Sequence, residues 1–475
     1  MQSLALANSA FATRNALAAI QAGQGVDFDG KSKQIITERN ALGDATASRD
    51  ANAADQVGGI NLSISIGASK SSSTTTQLSD TARGSTLAAG GNVSITATGA
   101  GQDSDILVRG SDVTAGKNAT LQANGDIALL AAENTVSLKG SNKSSSGSIG
   151  ISVGTSGFGV TASGSAGKGK EAGDDVSYTN THITAGNNPG NTVQIRSGAD
   201  TTLRGAVVRA DTVKADVGGD LRIESLQDTS SYASKQQNIG ASVTLGAGAG
   251  GSFNASKTKV NSDFVSVTEQ SGIKAGDGGF QVTVKNDTDL KGAVIASNQS
   301  AVEQGKNSFS TGGTLTTSDI QNQADYKASS ASVGVGTGMV GKNLGISGVG
   351  IGVGSDKGSA SSTTTAGISG IAGDTAVIST DKETGIQRIF DKEKVQEEID
   401  AQVVITEAFG REATSAWGAY ANNKLTDAVA SGDEDAAACW GTQGACRAAG
   451  HAVVGGLTGG SDGVIGSTGA SMTAP

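Results

Sequence analysis

Gly125-Asp126-Ile127-Ala128-Leu129 returns as Gly219-Asp220-Leu221-Arg222-Ile223 and again as Gly313-Thr314-Leu315-Thr316-Thr317. Both steps are 94 residues. Other phrases recur in the same order. Asp200-Thr-Thr-Leu-Arg-Gly-Ala-Val-Val208 matches Asp287-Thr-Asp-Leu-Lys-Gly-Ala-Val-Ile295. Val113-Thr-Ala-Gly116, Ile183-Thr-Ala-Gly186 and Ile273-Lys-Ala-Gly276 form a third set, at uneven steps of 70 and 90 residues. The chain therefore reads as an array built on a unit of about 90 residues, and repeat periods of this size signal stacked architectures.

Inside the unit, apolar residues alternate with polar ones over four to six positions between Gly, Asn and Asp turns. Asn92 to Ala97 and Phe280 to Val284 are examples. Period two is the strand signal, with Val, Ile and Leu on one face and Ser, Thr and Asn on the other. Strands this short cannot bury their own apolar face, so neighbours must supply the rest of the core. The expected fold is mostly β: a right-handed parallel β-helix, or solenoid. Each unit also carries a Gly/Ser-rich insertion, at 59–73, 144–170, 240–257 and 329–362. Alternation persists there, as in Ile60-Asn-Leu-Ser-Ile-Ser-Ile66. A disordered linker would not keep apolar residues two apart. These insertions are read as protruding two-stranded hairpins that could pair edge to edge.

Composition agrees. Of 475 residues, 71 are glycine and only 2 are proline, with 9 Phe, 4 Tyr and 2 Trp. Collagen would need far more proline, a disulfide scaffold more than 2 cysteines, and a basic nucleic-acid binder the opposite of a net charge of −10.

Near residue 380 the character changes. Val395, Ile399 and Val403 lie four apart, a helical stripe. Asp391 is positioned to cap this helix, and Gly410 to end it. A second helix is expected from about 412 to 430, and a third from 443 to 454. Leu4 to Gln21 is alanine-rich, helical or frayed, and the tail 455–475 is glycine-rich. The expected division is thus an N-terminal segment 1–40, β-helix repeats with hairpins 41–375, and a helical region with its tail 376–475. Met1 to Ile20 does not have the form of a signal peptide, and no window of 18 apolar residues would span a bilayer as a helix.

Ser197-Gly-Ala-Asp-Thr-Thr-Leu-Arg-Gly-Ala206, Glu224-Ser-Leu-Gln-Asp-Thr229 and Glu269-Gln-Ser-Gly-Ile-Lys-Ala-Gly-Asp-Gly-Gly-Phe280 resemble the second, C-terminal class of haemagglutinin repeat. That repeat belongs to the filamentous haemagglutinin and contact-dependent growth-inhibition effector family. Phe390 to Val403 and Gly450-His-Ala-Val-Val-Gly-Gly-Leu-Thr-Gly-Gly460 resemble the family's helical region before its toxin module. The resemblance covers roughly residues 40 to 465. It implies a giant secreted exoprotein of Gram-negative bacteria, found at the cell surface. Its implied partners are an outer-membrane two-partner-secretion transporter, a target-cell surface receptor or outer membrane, and a downstream toxin module. It also implies that this repeat class helps carry the toxin across the target's outer membrane. The family's transport domain and its Val-Glu-Asn-Asn motif are not found here, and Ala132-Glu-Asn-Thr135 does not replace that motif. A piece of a longer exoprotein, or a remnant gene, is expected.

No catalytic, cofactor or metal residues are assigned. His182 and His451 are read as structural, because nothing near them in sequence forms a triad. Gly336-Thr-Gly-Met-Val-Gly-Lys342 fits part of a phosphate loop but is followed by Asn343, not Ser or Thr. The Asp-Gly clusters at 275–279 and 459–463 lack the nonapeptide period of calcium-binding repeats and are read as turns. Cys439 and Cys446 are the candidate disulfide, favoured over free thiols if the protein is exported. The expected function is a non-enzymatic stalk that presents and delivers a toxin. A surface adhesin is the alternative, and a carbohydrate-cleaving enzyme ranks last.

Overall fold

The computed structural model describes residues 39–41, 62–154, 157–186, 188–246, 249–340, 343–370, 385–441, 444–450 and 452–453. All of the expected N-terminal segment but residues 39–40, the glycine-rich tail, His451 and the 459–463 cluster lie outside them. The fold is mostly β, as expected. Two parallel sheets, of eleven and six strands, carry the short repeated strands, and an eight-stranded antiparallel sheet carries the long ones.

The short strands come in rungs of three. One rung runs Asp112–Ala115, Ala119–Ala123, Ile127–Leu130, and the next runs Thr181–Ala185, Thr192–Ser197, Thr201–Arg204. Each strand pairs in parallel with its counterpart one rung away, in unbroken register at most steps. Along the first strands this stacks Leu87, Val113, Ile183, Val208, Ile273, Ile295 and Ile368 in one column. Along the third strands it stacks Val108, Leu129, Leu203, Ile223 and Leu290. These columns are the core, and their middle members are fully buried. A narrow rung admits mainly Ala, Val, Leu and Ile, and Phe280 is the one aromatic among the largest fully buried side chains described.

The 94-residue unit consists of two rungs and one hairpin. Ile127, Leu221 and Leu315 begin the third strands of the second, fourth and sixth rungs. The uneven 70 and 90 steps follow directly. Val113 and Ile183 are one rung apart, whereas Ile183 and Ile273 are two apart.

A ladder of carboxylates explains the quoted glycines. Asp105 accepts the Asp126 amide at 2.7 Å, Asp126 that of Asp200 at 2.9 Å, and Asp200 that of Asp220 at 2.8 Å. Asp220 accepts the Asp287 amide, and Asp287 that of Thr314. Asp105, Asp200 and Asp287 each sit beneath the glycine that precedes the donor. A Cβ at Gly125, Gly219 or Gly313 would lie 2.2, 2.2 or 2.1 Å from that oxygen, so only glycine fits. The like charges stack because each is spent on a backbone N–H that the corner leaves without a ladder partner.

The insertions are hairpins, longer than expected: Ala132–Gly154 with Gly157–Thr179, Gln227–Gly246 with Gly250–Val267, and Ile320–Val340 with Asn343–Thr364. Leu62–Asp80 precedes the first rung. All are antiparallel, and each hairpin's second strand pairs with the first strand of the next. A polar residue locks each junction at its base. Asn134 accepts the Ala82 amide, Asp228 that of Tyr178 and Asn322 that of Val267, all at 2.9 Å. These three positions are again 94 residues apart.

The helical region differs from expectation. Asp391 does cap the start, its carboxylate accepting the Lys394 amide at 3.0 Å. Gly410 does not end the helix, which runs unbroken over Lys392–Ser431 and stops at Gly432 in the left-handed conformation, φ 71°. A glycine inside a long helix costs only about 1 kcal/mol, too little to break it here. A short helix not anticipated, Glu434–Trp440, follows, capped by Asp433. Residues 445–450 are helical, within the expected third helix.

Replacing Leu203 by Ala should lower the unfolding free energy by about 3 kcal/mol through a core cavity. Asp200→Ala should cost about 1–2 kcal/mol by stripping the Asp220 amide of its acceptor. Asp200→Asn keeps an acceptor oxygen and should cost less. Urea titration of the three variants checks this order.

Candidate functional site

The hairpin sheet has two unlike faces. Near the hairpin tips, Ile151, Val160 and Leu245 are paired side by side, and so are Ile239, Ala255, Val333 and Ile351. Directly paired residues share a face, so these apolar groups form one surface across the hairpins. It is open: Ile149 is 67% and Leu245 65% exposed.

Val260 lies an odd number of residues from Ala255 and so faces the other way. There the C-terminal region covers the sheet. Val395 and Ile399 pack with Val260 and Ala328, and Tyr232, Tyr326, Phe390 and Val403 surround them. The three residues of the sequence stripe are thus the contact face of the helix. The approach is close, because a Cβ at Gly354 would lie 2.5 Å from the Ile399 carbonyl oxygen.

A short strap, residues 385–392, leads into the helix and crosses three hairpins. The Phe390 ring lies between Tyr232 and Tyr326, at 5.6 and 5.7 Å. Lys392 Nζ meets Glu171 at 2.8 Å and lies 5.2 Å from the Tyr232 ring. Burial works against the Lys392 charge, but the bond to Glu171 outweighs it and holds the ammonium above its ordinary pKa. Arg388 reaches Asp175 at 3.4 Å and sits over the Phe264 ring. The Ile386 amide bonds Ser266 Oγ at 2.9 Å. The helix is legible in the sequence but the strap is not, because its partners lie 64 to 221 residues upstream.

His182 is not a bare surface residue. Its Nδ1 lies 2.8 Å from Asp112, one rung away, and its Nε2 lies 3.0 Å from Glu269. Asn180 also bonds Glu269, at 2.8 Å. The hydrogen bond to Glu269 raises the His182 pKa, burial opposes it, and Asp112 adds to the rise, giving about 9. The ring is therefore a cation at neutral pH, tying the base of a hairpin to the stack. Its partners are 70 and 87 residues away, so no local pattern announces them.

Cys439 and Cys446 are joined by a disulfide, with Cα atoms 5.1 Å apart. The bond holds Arg447, whose carbonyl accepts the Trp417 indole N–H at 3.0 Å. Trp417, Tyr420 and Trp440 pack together, with ring centroids 5.3 to 5.9 Å apart. Residues 336–340 of the phosphate-loop-like stretch lie in a hairpin strand, not between a strand and a helix, and its last two residues are outside those described. Residues 275–279 lie inside the strand Gly272–Val284, at a break in its register with Ala206–Val217, where Asp211 accepts the Gly278 amide at 3.2 Å. Among the described residues no cluster of His, Cys, Asp and Glu is arranged to hold a metal ion.

The His182 tie sets a pH dependence. Its folded pKa is above the unfolded value, so the stabilisation is complete below pH about 6.5 and fades as pH rises through about 9. The side chain is 37% exposed, and solvent screening leaves about 1 kcal/mol. Between about pH 6 and about pH 10, the wild type should lose that much relative to His182→Gln in urea titrations. Separately, both tryptophans of the chain lie in the aromatic cluster. Reducing the disulfide should loosen this module by about 2–3 kcal/mol and red-shift tryptophan emission, with the β-sheet circular dichroism unchanged.

The hemagglutinin repeat family model matches residues 66–239. The chain is similar to the Toxin CdiA of Escherichia coli, at 40% identity over 75% of this chain and 12% of that protein. It is similar to the 16S rRNA endonuclease CdiA of Enterobacter cloacae, at 40% over 83% of this chain and 12% of that protein. It is also similar to the Deoxyribonuclease CdiA of Yersinia pseudotuberculosis, at 38% over 74% of this chain and 34% of that protein. The chain thus spans between about a tenth and a third of the length of these curated relatives. No solved structure matches it. With haemagglutinin repeats in its stacked rungs and this likeness over most of its length, the chain belongs to the filamentous haemagglutinin and contact-dependent growth-inhibition effector family.

Proposed function

We propose that this chain is a non-enzymatic stalk and delivery segment of a large secreted exoprotein. One observation carries the reading. Relatives named for cleaving 16S rRNA and for cleaving DNA share this segment at similar identity. A segment common to different activities is their carrier and not the source of any one of them. The parallel columns and the carboxylate ladder support a stiff rod, wound as a right-handed parallel β-helix over residues 41–375. Residues 376–475 form the helical region that precedes the cargo, with the Cys439–Cys446 bond formed on export. The partners of the full-length protein are an outer-membrane two-partner-secretion transporter, a downstream toxin module, and the receptor or outer membrane of a target cell. The segment acts at the bacterial surface. Its open apolar face is what engages the target, since exposed apolar area of this kind favours an apolar partner.

The test replaces the corresponding segment of a full-length effector with this chain. Contact-dependent inhibition of target cells should persist. Changing Ile149, Val243 and Leu245 to Ser should reduce inhibition at least tenfold with surface display unchanged. Equal inhibition by the triple variant overturns the role of the apolar face. Saturable cell binding with no transfer of cargo would make the segment an adhesin.

A further inference from the structure

The last strand of the hairpin sheet, Asn343–Thr364, has no following hairpin to pair with among the described residues. At the earlier junctions, the equivalent strands Gly157–Thr179 and Gly250–Val267 give their outward N–H and C=O groups to the next hairpin. Here the long helix Lys392–Ser431 takes that place. Thr406 Oγ1 accepts the Val353 amide at 2.8 Å, and its single proton lies within reach of the Val353 carbonyl at 3.1 Å and of the Gln402 carbonyl of its own helix at 2.8 Å. Gln402 Oε1 accepts the Ser355 amide at 2.8 Å. Val353 and Ser355 lie at the centre of the strand, so a covered centre denies continuous pairing to either half. Glycine keeps the cover close: a Cβ at Gly352 would lie 2.7 Å from the Val403 carbonyl oxygen.

We propose that the helix Lys392–Ser431 is an edge cap, and that its release lets a second copy of this chain pair through Asn343–Thr364. Open antiparallel edges template strand addition. The occupant follows from continuity. Every junction between the long strands of this sheet already joins two strands of this kind, alternately apolar and Gly/Ser-rich, in antiparallel register. An edge that pairs with its own copy about a two-fold axis keeps that antiparallel sense and closes as a dimer. The strap is the latch. Phe390, Lys392 and Arg388 hold the helix to three different hairpins, so loosening them frees the edge without touching the rungs.

The test uses the full chain with Arg388→Glu, Phe390→Ala and Lys392→Glu combined. Light scattering with size exclusion reads the mass, and hydrogen exchange reads the Val353 and Ser355 amides. The wild type should be a monomer with both amides protected. The variant should double in mass with both amides still protected, now by the partner strand. Adding Ser355→Pro, which deletes an edge donor, should return it to monomer. If the charge-reversed strap stays docked, Thr406→Pro breaks the helix at the edge and should give the same dimer. Fast exchange at Val353 and Ser355 in a protein that stays monomeric overturns the proposal. So does a wild-type dimer whose mass does not respond to undocking.

Discussion

A hairpin is two strands wide, and a rung is one strand thick. Neighbouring strands in either kind of sheet lie about 4.8 Å apart. A hairpin leaving every second rung therefore advances about 9.6 Å along the stack, which is the width that hairpin occupies. This match lets the parallel rungs and the antiparallel hairpin sheet grow together without strain. A hairpin on every rung would crowd its neighbours, and one on every third would leave gaps. The 94-residue period is the sequence's record of this constraint, with two rungs and one hairpin in each unit.

The base of each hairpin shows how the two systems are coupled. Asn134, Asp228 and Asn322 join one hairpin to the end of the one before. His182 adds a charged tie between Asp112 in the rungs and Glu269 beyond a hairpin. Because the hairpin sheet is commensurate with the stack, it presents two continuous faces. One is apolar and open at the tips. The other receives the strap and the helix, which a single hairpin could not hold. The helical region is thus anchored on the repeats and not merely appended to them.

Much of this was legible in the residues. The repeated Gly-Asp phrases marked equivalent corners, and alternation marked both strand classes. The physical reason for the glycines was not legible, because the carboxylate beneath each comes from another rung. Gly410 misled for the opposite reason: a helix-ending residue acts only where the chain is free to turn, and the helix continues through it. The strap at Phe390 and the neighbours of His182 stayed hidden, since their partners are brought close only by stacking. Val395, Ile399 and Val403 were visible as a stripe, but not what the stripe would face.

The central claim is the match of two rungs to one hairpin, and paired deletions test it most directly. Removing residues 132–225 excises one whole unit and should leave the remaining hairpins paired and the chain folded. Removing only residues 181–204 takes out a single rung and brings two hairpins one rung apart. Hydrogen exchange should then show lost protection where 159–176 meets 229–246, although far fewer residues are missing. Full protection at that junction in the single-rung deletion would contradict the account.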